Sequence, residues 1–174
     1  LNAPDLLVAG RVSVVDTSGL HNDSAKNIAI AWILRQTFSE KVQNPTAPPT
    51  LVIIEEAHTF ISKENRERMT ATMDMLKLIA RRGRKRWLAL AFVSQQPSHI
   101  PDEIFELCNT RVIHCVKSDY NLNPLKRTSG DVHSALWEMV PALGPGQALV
   151  TSPQFTHTIL VDIRPCATRR RMIE

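Results

Sequence analysis

Leu51-Val52-Ile53-Ile54-Glu55-Glu56-Ala57-His58 decides how the rest of the chain is read. Four consecutive aliphatic residues without polar alternation predict a buried strand, apolar on both faces as parallel strands are. Two adjacent carboxylates come directly after it. In open α/β sheets ligands bind beyond the C-terminal ends of the strands, so Glu55 and Glu56 are the first candidates for chemistry. The plain alternative is an ordinary strand-to-loop transition.

Working outward, Met69, Met73, Leu76, Ile79 and Ala80 repeat at helical spacing and predict the inner stripe of a helix that Gly83 ends. Leu88 to Val93 is a second apolar strand, closed by Ser94-Gln95-Gln96-Pro97. Pro101 suits the first position of a short helix, with Asp102 and Glu103 at its positive end. A further strand is expected from about Arg111 to Val116. Upstream, Val12 to Val15 reads as a buried strand that leaves Asp16 at its C-terminal edge, followed by the turn Thr17-Ser18-Gly19. Asp23 and Ser24 are expected to cap a helix through about Glu40, with Ile30, Ala31, Leu34 and Phe38 on one side, and the Pro-rich segment 44–49 breaks it. Beyond residue 116, Asp131 to Leu143 looks helical. Gln147 to Thr151 and His157 to Ile163 look like strands pairing antiparallel through a turn near Pro153. The alternation of apolar strands with amphipathic helices predicts an α/β domain around a mainly parallel sheet. Its polar strand-end residues are Asp16, Glu55, Glu56 and Gln95.

A chain of 174 residues, 43% of them hydrophobic, can bury one proper core, and one domain spanning residues 1–174 is expected. The chain starts at Leu1 rather than Met, which suggests a piece of something longer. No run approaches the length of a membrane span and no secretory leader is visible, so no membrane partner is expected. Cys108, Cys115 and Cys166 have neither CxxC spacing nor paired histidines nearby, which points away from a disulfide framework or zinc site and toward a cytoplasmic protein. The net charge of +4 is modest but clustered, at Arg81 to Arg86 and in a basic tail, residues 166–174, that contains Arg169 to Arg171. Such clusters neutralise phosphates or form solvated faces.

A strand can hold one carboxylate near a magnesium ion while its neighbour orients a water, and a nearby amide can contact a γ-phosphate. Residues 51–58 resemble the Walker B motif of P-loop NTPases. Ile79-Ala80-Arg81-Arg82-Gly83-Arg84-Lys85, the following strand and Ser94-Gln95-Gln96-Pro97-Ser98 resemble the pattern of HerA/FtsK-type ATPases, where an Ala-Arg turn precedes a strand ending in Gln-Arg-Pro-Ser. Asn109 to Ile113 and Leu143 to Val150 continue the resemblance, as do Gly10 to Asp16 and Ser18 to Leu20. It covers about residues 10–165. The resemblance implies a RecA-like core, the C-terminal part of the motor domain, with a C-terminal antiparallel β extension. It implies that Glu55 supports Mg2+, Glu56 is the catalytic carboxylate, Gln95 is the sensor and Arg84 reaches the nucleotide of a neighbouring subunit, with Arg82 and Arg111 as rivals. His58 is either a relay of nucleotide state or a structural histidine. It further implies ATP as cofactor, double-stranded DNA as substrate, a hexameric ring and a nuclease partner.

Three departures stand out. Gln96 replaces the family's arginine, and Glu55 replaces the commoner aspartate. The third is larger: Gly-x-x-x-x-Gly-Lys-Ser/Thr occurs nowhere, and Gly144-Pro145-Gly146 lacks the lysine. The chain thus carries the hydrolytic half of a site without its phosphate cradle, and alone it is expected neither to bind nor to hydrolyse ATP. The alternatives are a non-catalytic RecA-like module for assembly or regulation, or part of a conjugation or secretion ATPase.

Overall fold

A computed structural model describes residues 3–64, 66–130 and 132–168; Asp131 and the arginines at 169–171 lie outside the described residues. Two compact units follow chain order, Leu1–Leu107 and Cys108–Glu174.

The first unit contains α1 (Ala3–Leu6), α2 (Asp23–Gln43), β1 (Thr50–Ile54), α3 (Ala57–Phe60), α4 (Thr70–Arg82), β2 (Leu88–Phe92) and α5 (Asp102–Leu107). Strands β1 and β2 pair in parallel, with Thr50 opposite Leu88 and Ile54 opposite Phe92. The connection between them is α4, which packs on both β2 and α2. Of the stripe read from sequence, Met69, Met73, Leu76 and Ile79 are buried, while Ala80 is exposed and Met75 takes a buried place instead. Each such side chain contributes about 2 kcal/mol by leaving water. A polar stitch joins the two long helices, Thr72 Oγ1 donating to the Asn27 carbonyl at 3.2 Å.

Four expectations change in this unit. Residues 12–15 form no strand: Val12 and Val14 are 88% and 84% exposed, because no described strand lies alongside to pair with them. The Asp16 carboxylate instead accepts from the Ser18 backbone N–H at 2.8 Å, and that bond draws its pKa down. The cap of α2 is Asn22, one residue earlier than expected, its Oδ1 accepting from Ser24 N at 2.8 Å. Strand β1 is covered on one side only, with Leu51 and Ile53 at 56% and 61% exposure on the other, where no described element covers them. Finally, Gly83 ends α4 in right-handed conformation, so its role is not a left-handed cap. A Cβ there would meet the Leu88 carbonyl oxygen at 2.4 Å, so glycine is required by the close approach of helix end and strand.

Lys41, at the end of α2, is 2% exposed. Its ammonium donates to the Ala47 and Pro48 carbonyls at 3.1 and 2.5 Å, fastening the Pro-rich connection to β1. Burial pushes its pKa down.

In the second unit, β3 (Arg111–Ile113), β4 (Gln147–Thr151) and β5 (Ile159–Asp162) form an antiparallel sheet in the order β3-β4-β5. The strand at Arg111 therefore belongs with the C-terminal strands and not with the parallel pair. Gly146, with φ of 82°, makes the turn into β4, and its carbonyl accepts from Ile163 N at 2.7 Å. Between β3 and β4 lie α6 (Asp119–Thr128) and α7 (Ser134–Met139), the latter shorter than the expected helix. Helix α6 has Pro124 in its interior.

Candidate functional site

The parallel register brings the polar ends of β1 and β2 to the same edge of the sheet. It runs one step past both strands, Val93 N donating to the Ile54 carbonyl and Ala57 N to the Val93 carbonyl, each at 2.9 Å. Glu55, Glu56, Ser94 and Gln95 emerge from this edge. Glu56 adopts left-handed backbone, φ 48° and ψ 46°, between β1 and the first residue of α3. For a residue with a Cβ this costs about 1 kcal/mol or more. The first turn of α3 fixes it, Thr59 donating to the Glu56 carbonyl through its N–H at 2.8 Å and its hydroxyl at 2.9 Å.

Gln95 Nε2 donates to Glu56 Oε1 at 2.7 Å, so two residues 39 positions apart in the sequence meet directly. His58 Nδ1 lies 3.3 Å from Glu56 Oε2 and 3.1 Å from Ser94 Oγ. Ser94 Oγ also accepts from Gln96 N at 3.1 Å. Glu56 is half-exposed, His58 largely covered, and Glu55 and Gln95 open to solvent. A carboxylate held at a defined angle and still reached by water can accept a proton from that water. Sequence reasoning named Glu56 and Gln95 as site residues and left His58 open; it missed Ser94, whose only signal was its place in the Ser-Gln-Gln-Pro stretch.

The three candidate arginines have different settings. Arg82 ends α4 and Arg84 lies in the tight helical turn Gly83–Arg86, both exposed, at the N-terminal end of β2. Four residue steps along β2 separate this end from the Glu56 edge by roughly 13 Å, before the flanking turns are added. Arg111 belongs to the second unit, where its guanidinium donates to Thr128 Oγ1 at 3.1 Å and Ser129 Oγ at 2.6 Å, tying β3 to the end of α6. Partial burial lowers its pKa.

The donor set at the Glu56 edge is oxygen-rich and suits a hard cation such as Mg2+. Among the described residues no group of three or more His, Cys, Asp or Glu could enclose a metal, so any cation here would need further oxygens from a phosphate ligand. Glu55, Glu56 and Gln95 thus fit the hydrolytic end of a triphosphate site, while the phosphate cradle is absent from the sequence. Among the described residues no helix is long and apolar enough to cross a membrane.

Solved structures with this architecture define the class. The genome packaging NTPase B204 from Sulfolobus turreted icosahedral virus 2, in complex with AMP, superposes with a TM-score of 0.68 at 13% identity, over 95% of this chain and 73% of that one. VirB4 of Thermoanaerobacter pseudethanolicus gives a TM-score of 0.68 at 13% identity, over 86% of this chain and 39% of that one. The fold is of P-loop NTPase type. By sequence the chain is a homologue of HerA-type helicases over most of its length. It is 29% identical over 152 residues to the DNA double-strand break repair helicase HerA of Sulfurisphaera tokodaii, covering 84% of this chain and 30% of that protein. It is 32% identical over 163 residues to the probable helicase MJECL08 of Methanocaldococcus jannaschii, covering 88% and 31%. The chain therefore spans about three tenths of the length of these relatives. No family model matches it.

Proposed function

We propose that this chain supplies the hydrolytic half of an ATP-driven DNA-translocating motor of HerA type, whose phosphate-binding loop comes from a segment upstream of it. The observation that carries the reading is the contact of Gln95 with Glu56 at 2.7 Å, at the C-terminal edge of a parallel strand pair. In this reading Glu56 takes the proton of the attacking water, and Gln95 alternates between that carboxylate and the terminal phosphate. Glu55, exposed beside it, would support the magnesium when it is bound. The metal and phosphate loop, when present, supply charge neutralisation of the transferred phosphoryl group. Double-stranded DNA as substrate, assembly into a hexameric ring, a nuclease partner and a cytoplasmic location belong to the same proposal. The support is homology to helicases named for DNA break repair.

The test is substitution in the assembled motor. Glu56→Gln should lower ATP turnover by roughly a hundredfold or more, the scale of a lost general base, with nucleotide still bound. Near-normal turnover in Glu56→Gln, with Glu55→Gln inactive, would reverse the assignment of the two acids.

A further inference from the structure

We infer that His58 is a positioning residue for Glu56: its Nδ1–H donates to Oε2 while Gln95 donates to Oε1, gripping the carboxylate at both oxygens, with Ser94 as the competing partner that releases it. This rests on the hydrolytic reading of Glu56.

Glu56 Oε2 is shut off from solvent and accepts no hydrogen bond by strict geometry, although the other oxygen is well bonded. A sequestered carboxylate oxygen left without a donor is costly, and His58 Nδ1 at 3.3 Å is the group placed to supply one. The same nitrogen lies 3.1 Å from Ser94 Oγ, so a single ring proton has two acceptors to choose between. The choice is decided by chemistry already in place. Ser94 Oγ accepts from Gln96 N, and its own hydrogen is free to rotate. If Nδ1 carries the proton, that proton can close the grip on Glu56. If instead Nε2 carries it, the Ser94 hydroxyl donates into the bare Nδ1, and Oε2 faces a lone pair that repels it. The histidine tautomer therefore decides whether the carboxylate is held or let go. The left-handed backbone at Glu56 fixes where the side chain starts, and the bonds to Gln95 and His58 fix where it ends. His58 and Ser94 leave β1 and β2 at the same edge, so a movement of the Gln95 segment would alter both contacts together.

The ring proton can be read without nucleotide. Long-range 1H–15N correlation on this chain should place the proton of His58 on Nδ1, should keep it there in Ser94→Ala, and should return it to Nε2 in Glu56→Ala. An Nε2–H ring in the wild type, unchanged in Glu56→Ala, would overturn the proposal. In the assembled motor, His58→Phe should lower kcat about tenfold or more at unchanged ATP affinity, the scale of lost supporting partners. His58→Asn, whose amide N–H stands near the place of Nδ1–H, should restore most of it. Equal loss in both variants, or loss of ATP affinity alone, would count against positioning. If Glu56→Gln itself keeps full turnover, the hydrolytic reading fails, and the ring measurement still decides whether the grip exists.

Discussion

A single buried ammonium shows how much one residue can organise. Lys41 stands on a helix face that sequence would give to an apolar residue, yet it fastens the Ala47 and Pro48 carbonyls at the approach to β1. Lys41→Met keeps the stem and removes the donors, and should destabilise the fold by about 1–3 kcal/mol, as urea unfolding would measure. The pH dependence has a defined sign. Because burial holds the folded pKa below its ordinary value, the folded chain binds fewer protons at this site than the unfolded chain between those two values. The corresponding stability is fully present above the ordinary lysine pKa and is lost as pH falls through the folded one. The gap between wild type and Lys41→Met should therefore widen from neutral to alkaline pH. A gap that narrows would mean the ammonium is not desolvated.

At the scale of elements, the helix-strand junction at Gly83 is the tightest point. Gly83→Ala would place a Cβ against the Leu88 carbonyl oxygen, backbone that cannot move without disturbing the first pair of the β1–β2 register. The strain of overpacking, about 1–3 kcal/mol, outweighs the roughly 0.4–1 kcal/mol that alanine gains by restricting the unfolded chain. Net destabilisation in urea unfolding is expected; a stabilised variant would show that the junction can open. The legibility of the elements depends on what holds each one. Strands β1 and β2 and helix α4 were readable because part of each apolar run or stripe is a packing surface, Ile54 and Leu88 in the strands and Met73, Leu76 and Ile79 in the helix. Residues 12–15 carry the same β-branched signal but find no described partner, and a strand is a pairing before it is a propensity. Helix α6 escaped notice because Pro124 speaks against a helix interior, yet Leu122, Pro124 and Leu125 are buried and packing prevails. At the site, residue types revealed Glu56 and Gln95. The left-handed turn that aims Glu56 was hidden, since nothing marks a glutamate for that conformation.

For the molecule as a whole, the parallel register sets two polar ends apart. The basic turn Gly83–Arg86 lies at the N-terminal end of β2 and Gln95 at the other. An arginine at the first end lies too far from the Glu56 edge of its own chain, and in the ring proposed above it could serve hydrolysis only across a subunit boundary. Arg111 is engaged by Thr128 and Ser129, which leaves Arg84 and Arg82 as the exposed candidates. Mixing Arg84→Ala subunits with subunits lacking the phosphate-loop lysine should recover ATPase activity through complementary interfaces, with DNA affinity and its salt slope unchanged in the Arg84→Ala ring. Unchanged turnover in that ring, with a salt slope reduced by about one unit, would assign the turn to DNA instead. The half-covered strand pair has a consequence of another kind. With Leu51 and Ile53 at more than half exposure and the strand edges unpaired among the described residues, the chain on its own presents a sticky β template. A bare edge of this kind favours weak, concentration-dependent self-association, which light scattering of the isolated chain over a dilution series would detect.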